Sequence, residues 1–136
     1  FLIMMSLNEL KTDLGYILSV VRKVQEEWDY ATVNSKTCKN LGKLECGLCG
    51  ALDTVGMQFP SVNIAIFFVL LESNNTQSMK KLFRLPKRSN MDYSEEVKRV
   101  LDIWEKWRNA ADIKKFKEQH TQVYDDVKDT FRDLKF

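Results

Sequence analysis

The chain has 136 residues, 44% of them hydrophobic and 11% aromatic, with only five Gly and two Pro, a composition that fits one globular domain and excludes a disordered tail. At this length folding buries about two-thirds of the surface that the unfolded chain exposes, so no disulfide or metal staple is required. The 21 basic and 19 acidic side chains leave a net charge of +2, which gives no bulk attraction to nucleic acid or to an anionic membrane and confines any electrostatic function to a local patch.

Phe1 to Met5 is apolar, but no positive region precedes it and no small-residue cleavage site follows, so it is a poor signal peptide. A chain that opens on Phe fits a segment of a longer polypeptide or one carrying a few extra residues. Ser6 followed by Glu9 is a capping-box pattern and predicts a helix start. From there Leu7, Leu10, Leu14, Ile17, Val21, Val24, Trp28 and Ala31 keep a three-four spacing, one apolar stripe along roughly seven helical turns.

Asn34 and Ser35 break that helix and offer the next cap. Leu41, Leu44, Leu48, Leu52 and Val55 predict a second helix over 35–55, although Gly42, Gly47 and Gly50 each cost it roughly 1 kcal/mol. Close helix packing is the expected reason for these glycines; a bend or groove that holds a ligand is the alternative. Gly56 to Pro60 stops the helix, and Ser61 caps a third segment whose run from Ile64 to Leu71 is apolar all round. With no strand nearby to pair with it, this run predicts a central buried helix. Its eight residues are far short of the roughly 20 that cross a bilayer, so the protein is expected to be soluble.

A polar stretch from Ser73 to Thr76 leads to a short helix carrying Met79, Leu82 and Phe83, ended by Pro86, with a loop over 87–90. Asp92 or Ser94 caps a fifth helix with Val97, Val100, Leu101, Trp104 and Trp107 on its buried face. The hydrophobic phase is lost between Val97 and Ile113, which predicts a break near 109–112. Ile113, Phe116, His120, Val123, Val127, Thr130 and Leu134 then read as one last helix running to the chain end. The expected fold is all-α: a compact bundle of about five or six helices in a single domain over 1–136, its long amphipathic first and last helices packed on each other.

Chemistry-bearing residues are sparse. His120 is the sole histidine and occupies a core-type position without an identifiable partner, so a packed structural role is expected. Cys38, Cys46 and Cys49 are an odd number on one predicted helix, which argues against a disulfide framework and for small buried thiols in a reducing nuclear or cytoplasmic compartment. Joined with His120 they match no familiar zinc spacing. Asn74-Asn75-Thr76 is a glycosylation triplet, which matters only in a secreted protein. Asp125, Asp126 and Asp129 lie among Lys128 and Arg132 as a solvated face. No catalytic, cofactor or metal site is expected, and no enzyme activity.

The functional candidate is the segment from Met79 to Arg88. Lys80, Lys81, Arg84, Lys87 and Arg88 place five positive charges within nine residues, with Leu85 near the surface. Such a patch steers an acidic peptide by charge while an apolar pocket supplies residence time; it also suits phosphates, and an ordinary solvated face is the plain alternative. Trp107, beside Arg108, is read as core or as a partly exposed aromatic anchor.

The basic helix from Ser78 to Leu85, followed by Ser94-Glu95-Glu96-Val97-Lys98-Arg99-Val100-Leu101-Asp102-Ile103-Trp104-Glu105-Lys106-Trp107, resembles the closing half of the TFIIS N-terminal domain and of the related integrase-binding domain of the LEDGF group. Val100 to Trp104 also resembles a helix of the domains that bind the RNA polymerase II tail. The resemblance covers less than a third of the chain. The glycine-rich second helix, the run from Ile64 to Leu71 and the helix after Asp112 depart from it, and no family binding residue is carried over. It implies a non-enzymatic module that docks short acidic, apolar-anchored motifs of transcription or chromatin proteins. The alternatives are a structural homo-oligomer zipped through the N-terminal stripe and a nucleic-acid binder using the basic patch.

Overall fold

The computed structural model describes residues 2–54, 62–85 and 87–131, with side chains from Asn8 onward except at 54, 111 and 112. Seven helices occur among them: α1 (Leu2–Glu26), α2 (Ser35–Thr54), α3 (Val62–Ser73), α4 (Thr76–Phe83), α5 (Ser94–Arg108), α6 (Ala111–Gln119) and α7 (Thr121–Phe131). The all-α expectation holds. The count exceeds five or six because the C-terminal stretch is two helices: His120 leaves the helical conformation (φ −134°, ψ 48°) and divides α6 from α7. The predicted break after α5 falls at Asn109 and Ala110. Val55, the stop at Gly56 to Ser61, Pro86 and Leu134 lie outside the described residues.

Helix α1 differs from its expected span at both ends. It begins at Leu2, so Ser6 lies inside it and the capping-box start is corrected; it stops at Glu26, short of Ala31. The early stop has a tertiary cause. Trp28 forms an isolated antiparallel bridge with Lys87, and Arg88 N donates to Glu27 O at 2.6 Å, so the chain after α1 is drawn into extended pairing with a segment far away in sequence.

The stripe on α1 is buried from Leu10 through Trp28, but its cover is α2 and α5, while α7 packs chiefly on α3. The expected pairing of first and last helices is therefore replaced by two separate contacts. The reason lies in α3, where Ile64, Ala65 and all five residues from Phe67 to Leu71 are buried. A helix that is apolar all round needs cover on every side, and α2, α5 and α7 supply it. Phe67 meets the Trp104 ring edge-on at 5.9 Å, and Phe68 meets Phe116 at 5.2 Å.

Two of the α2 glycines serve this packing. A Cβ on Gly47 would come within 3.1 Å of Ile66 Cγ2, and one on Gly50 within 2.7 Å of Asn63 Cγ, whereas a Cβ on Gly42 would meet nothing within 4 Å. Asn74, fully buried after α3, donates from Nδ2 to Leu70 O at 3.2 Å, and its own carbonyl accepts from Trp104 Nε1 at 2.6 Å. A side chain held in this way offers no amide to a glycosylating enzyme in the folded protein. Cys38, Cys46 and Cys49 are free thiols; Cys38 and Cys49 are half-buried, but Cys46 is exposed, which corrects its reading as a small buried hydrophobe. His120 is half-buried against Phe116, ring centroids 5.0 Å apart.

Candidate functional site

Helix α4 is started by Asn75, whose Oδ1 accepts from Ser78 N at 3.0 Å. Its eight residues turn Met79, Leu82 and Phe83 into the core, which leaves Lys81 and Arg84 exposed and Lys80 half-exposed. The five cations of the basic segment then divide by role. Arg88 caps α1, its Nη2 donating to Glu26 O at 2.5 Å, where the unsatisfied carbonyls of a helix C-terminus attract a cation. Lys87 lies 5.4 Å from the centre of the Tyr93 ring. Burial pushes the Tyr93 phenol above its ordinary value, with Glu27, Glu26 and Glu96 adding to it, so the ring stays neutral beneath that ammonium. Lys80, Lys81 and Arg84 form no ion pair among the described residues.

Opposite this helix stands the start of α2. Asn34 Oδ1 accepts from Thr37 N at 2.8 Å, an N-cap that fixes Lys36, Thr37 and Asn40 facing Lys81, Leu82 and Leu85 across a cleft of about 260 Å³. Leu82 and Leu85 give the cleft an apolar floor, while Lys36 and Lys81 stand at its rim. The first turn of α2 carries no acidic residue, so the partial positive charge of the helix N-terminus is uncompensated there. Among the described residues no cluster of His, Cys, Asp and Glu suited to a metal ion occurs.

The structure brings Lys81 and Leu85 to this cleft and keeps Arg84 exposed. Lys87 and Arg88 are engaged in holding the loop to α1. Trp107 stands apart on α5: it is buried, and its Nε1 donates to Asp13 Oδ2 at 2.8 Å. Beside it Lys106 binds Glu9 and Asp13, both at 2.6 Å. Sequence reasoning missed Lys36, Thr37 and Asn40. Their signal was present in the Asn34-Ser35 cap followed at once by a lysine, where a helix start ordinarily favours acidic residues.

No helix among the described residues is long and apolar enough to cross a membrane. No family model matches the chain, and neither a curated protein nor a solved structure matches it.

Proposed function

We propose that the protein is a non-enzymatic helical interaction module whose α2–α4 cleft docks a short acidic, apolar-anchored segment of a partner protein. One observation carries this reading: the apolar floor of Leu82 and Leu85 lies beneath two ammonium groups, Lys36 and Lys81, at a helix N-terminus without an acidic residue. An apolar anchor seated on the leucines supplies residence time, and carboxylates beside it meet the lysines and raise the rate of encounter. The assignment of the partner to transcription or chromatin, and of the protein to the nucleus or cytoplasm, rests on the resemblance of 78–107 and on the cysteine pattern.

The test is a selection of displayed random peptides on the wild-type protein, repeated on Lys36→Glu/Lys81→Glu after circular dichroism shows both to be equally helical. The expected consensus holds Asp or Glu next to a bulky apolar residue. Its affinity should fall about tenfold or more in the double variant, and should weaken with salt to an apolar remainder that salt does not remove. A basic consensus, or one that binds the double variant equally well, would sink the proposal.

A further inference from the structure

The α2–α4 cleft has a neighbour on the same helix. Between α2, the start of α3 and the end of α7 lies a second groove of about 450 Å³, floored by Gly42, Gly47, Ile66 and Phe131 and edged by Lys39 and Lys43. Gly42 opens this groove, since nothing stands within 4 Å of where its side chain would be. From Ser35 to Leu44 the helix carries Lys36, Lys39 and Lys43 and no acidic residue. None of the three forms an ion pair among the described residues, and the next acid along α2, Glu45, is bound to Arg22 of α1. The lysines therefore form a positive ridge with an apolar depression on either flank.

We infer that the two depressions form one bipartite site, which takes a single extended acidic peptide laid obliquely across the Lys36–Lys39–Lys43 ridge with an apolar anchor at each end. The inference rests on the proposed reading of the α2–α4 cleft and deepens it. Charge complementarity selects the occupant: the ridge between the depressions carries three ammonium groups and no carboxylate, so the segment that crosses it carries carboxylates. Geometry sets the spacing. Along α2 the centres of the two linings are six or seven residues apart, roughly 10 Å at 1.5 Å per residue. Going around the helix surface lengthens the path to about 15 Å, which four or five residues of extended chain cover. The ligand class is thus a peptide whose two bulky apolar residues are separated by three or four acidic positions. Joining two weak anchors in this way raises affinity because the second seats at a high effective concentration.

The probes are fluorescein-labelled synthetic peptides read by anisotropy: one with two leucines flanking four acidic residues, and two controls with either leucine changed to serine. The two-anchor peptide should bind about tenfold or more tightly than either control. Gly42→Trp, which fills the second groove from an open position on a helix that gains by losing glycine, should bring the two-anchor peptide down to the level of the control seated at the α2–α4 cleft and leave that control unchanged. A measurement free of any variant accompanies it. Cys46 lines the second groove and is exposed, so the two-anchor peptide should slow its alkylation, located by fragmentation mass spectrometry, while the control seated at the α2–α4 cleft does not. Equal affinities of two-anchor and single-anchor peptides, with Gly42→Trp and Cys46 alkylation unaffected, would overturn the bipartite site and leave the first cleft standing. Failure of every peptide to bind, or tighter binding of an oligothymidylate of matched charge, would overturn both.

Discussion

Two buried tryptophans separate the contribution of packing from that of hydrogen bonding. Trp28 and Trp104 are both fully enclosed, yet Trp104 Nε1 donates to the Asn74 carbonyl, while Trp28 Nε1 has no acceptor among the described residues. Trp104→Phe leaves a buried carbonyl without its donor, whereas Trp28→Phe removes a donor that is already unsatisfied. In urea unfolding Trp104→Phe should lose about 1–3 kcal/mol more than Trp28→Phe. Tyr124 sets a pH limit. Burial raises its phenol first, and then the hydrogen bond to Glu72, the Glu72 charge and Asp125 raise it further. The folded protein keeps the phenol neutral while the unfolded chain ionises near pH 10, so stability is fully present below that pH and is lost as pH rises beyond it. Lys106 acts in the same direction: burial alone would lower it, but hydrogen bonds to Asp13 and Glu9 outweigh that and hold it above its ordinary value. The unfolding free energy measured in urea should fall as pH rises through about 10 to 11, by at most about 1.4 kcal/mol per pH unit for each such group, and Tyr124→Phe should flatten the fall.

Among the elements, α2 holds the sharpest contrast. Gly42 has open space and Gly50 has Asn63 at 2.7 Å, so one substitution has opposite effects at two positions of a single helix. Gly42→Ala should stabilise by up to about 1 kcal/mol through helix propensity. Gly50→Ala should destabilise by about 1 kcal/mol, because the Asn63 side chain must leave its packed position to admit the methyl; the denaturation midpoints of the two variants should straddle that of the wild type. Legibility in the sequence follows the same line between local and distant causes. The Asn34 cap, the span of α2, the burial of α3 and the break after α5 were readable because neighbouring residues determine them. The end of α1 at Glu26 was not, since its partners at Lys87 and Arg88 lie about sixty positions away. Nor was the division at His120, where no Gly or Pro marks the stop and Thr121 Oγ1 turns back to Lys117 O at 2.9 Å. Half of the α2–α4 cleft was legible as a basic run; the other half required knowing which helix stands opposite.

For the molecule as a whole, the stripe of α1 is already covered by α2 and α5, so zipping two copies through it would first require this core to open. Electrostatics are unevenly spread over a nearly neutral chain. Elsewhere Arg22, Lys106 and Lys117 are tied to carboxylates, while the cations at the start of α2 and on the exposed side of α4 form no ion pair among the described residues. Charge reversal on that face should alter binding with little effect on stability, since solvated charges there contribute almost nothing to folding.

The pairing of residue 28 with residue 87, reinforced by Arg88 on Glu26 and Glu27, has a kinetic corollary. It fastens the ends of a closed loop that contains α2, α3 and α4, so these helices are tethered at both ends and α5 to α7 at only one. Backbone amides within the loop should exchange with deuterium as one cooperative unit, with the clasp as its latch. Arg88→Ala should speed their exchange together, and a peptide seated beside Leu85 should slow it. The same few residues that end the first helix would then govern how often the binding face comes apart.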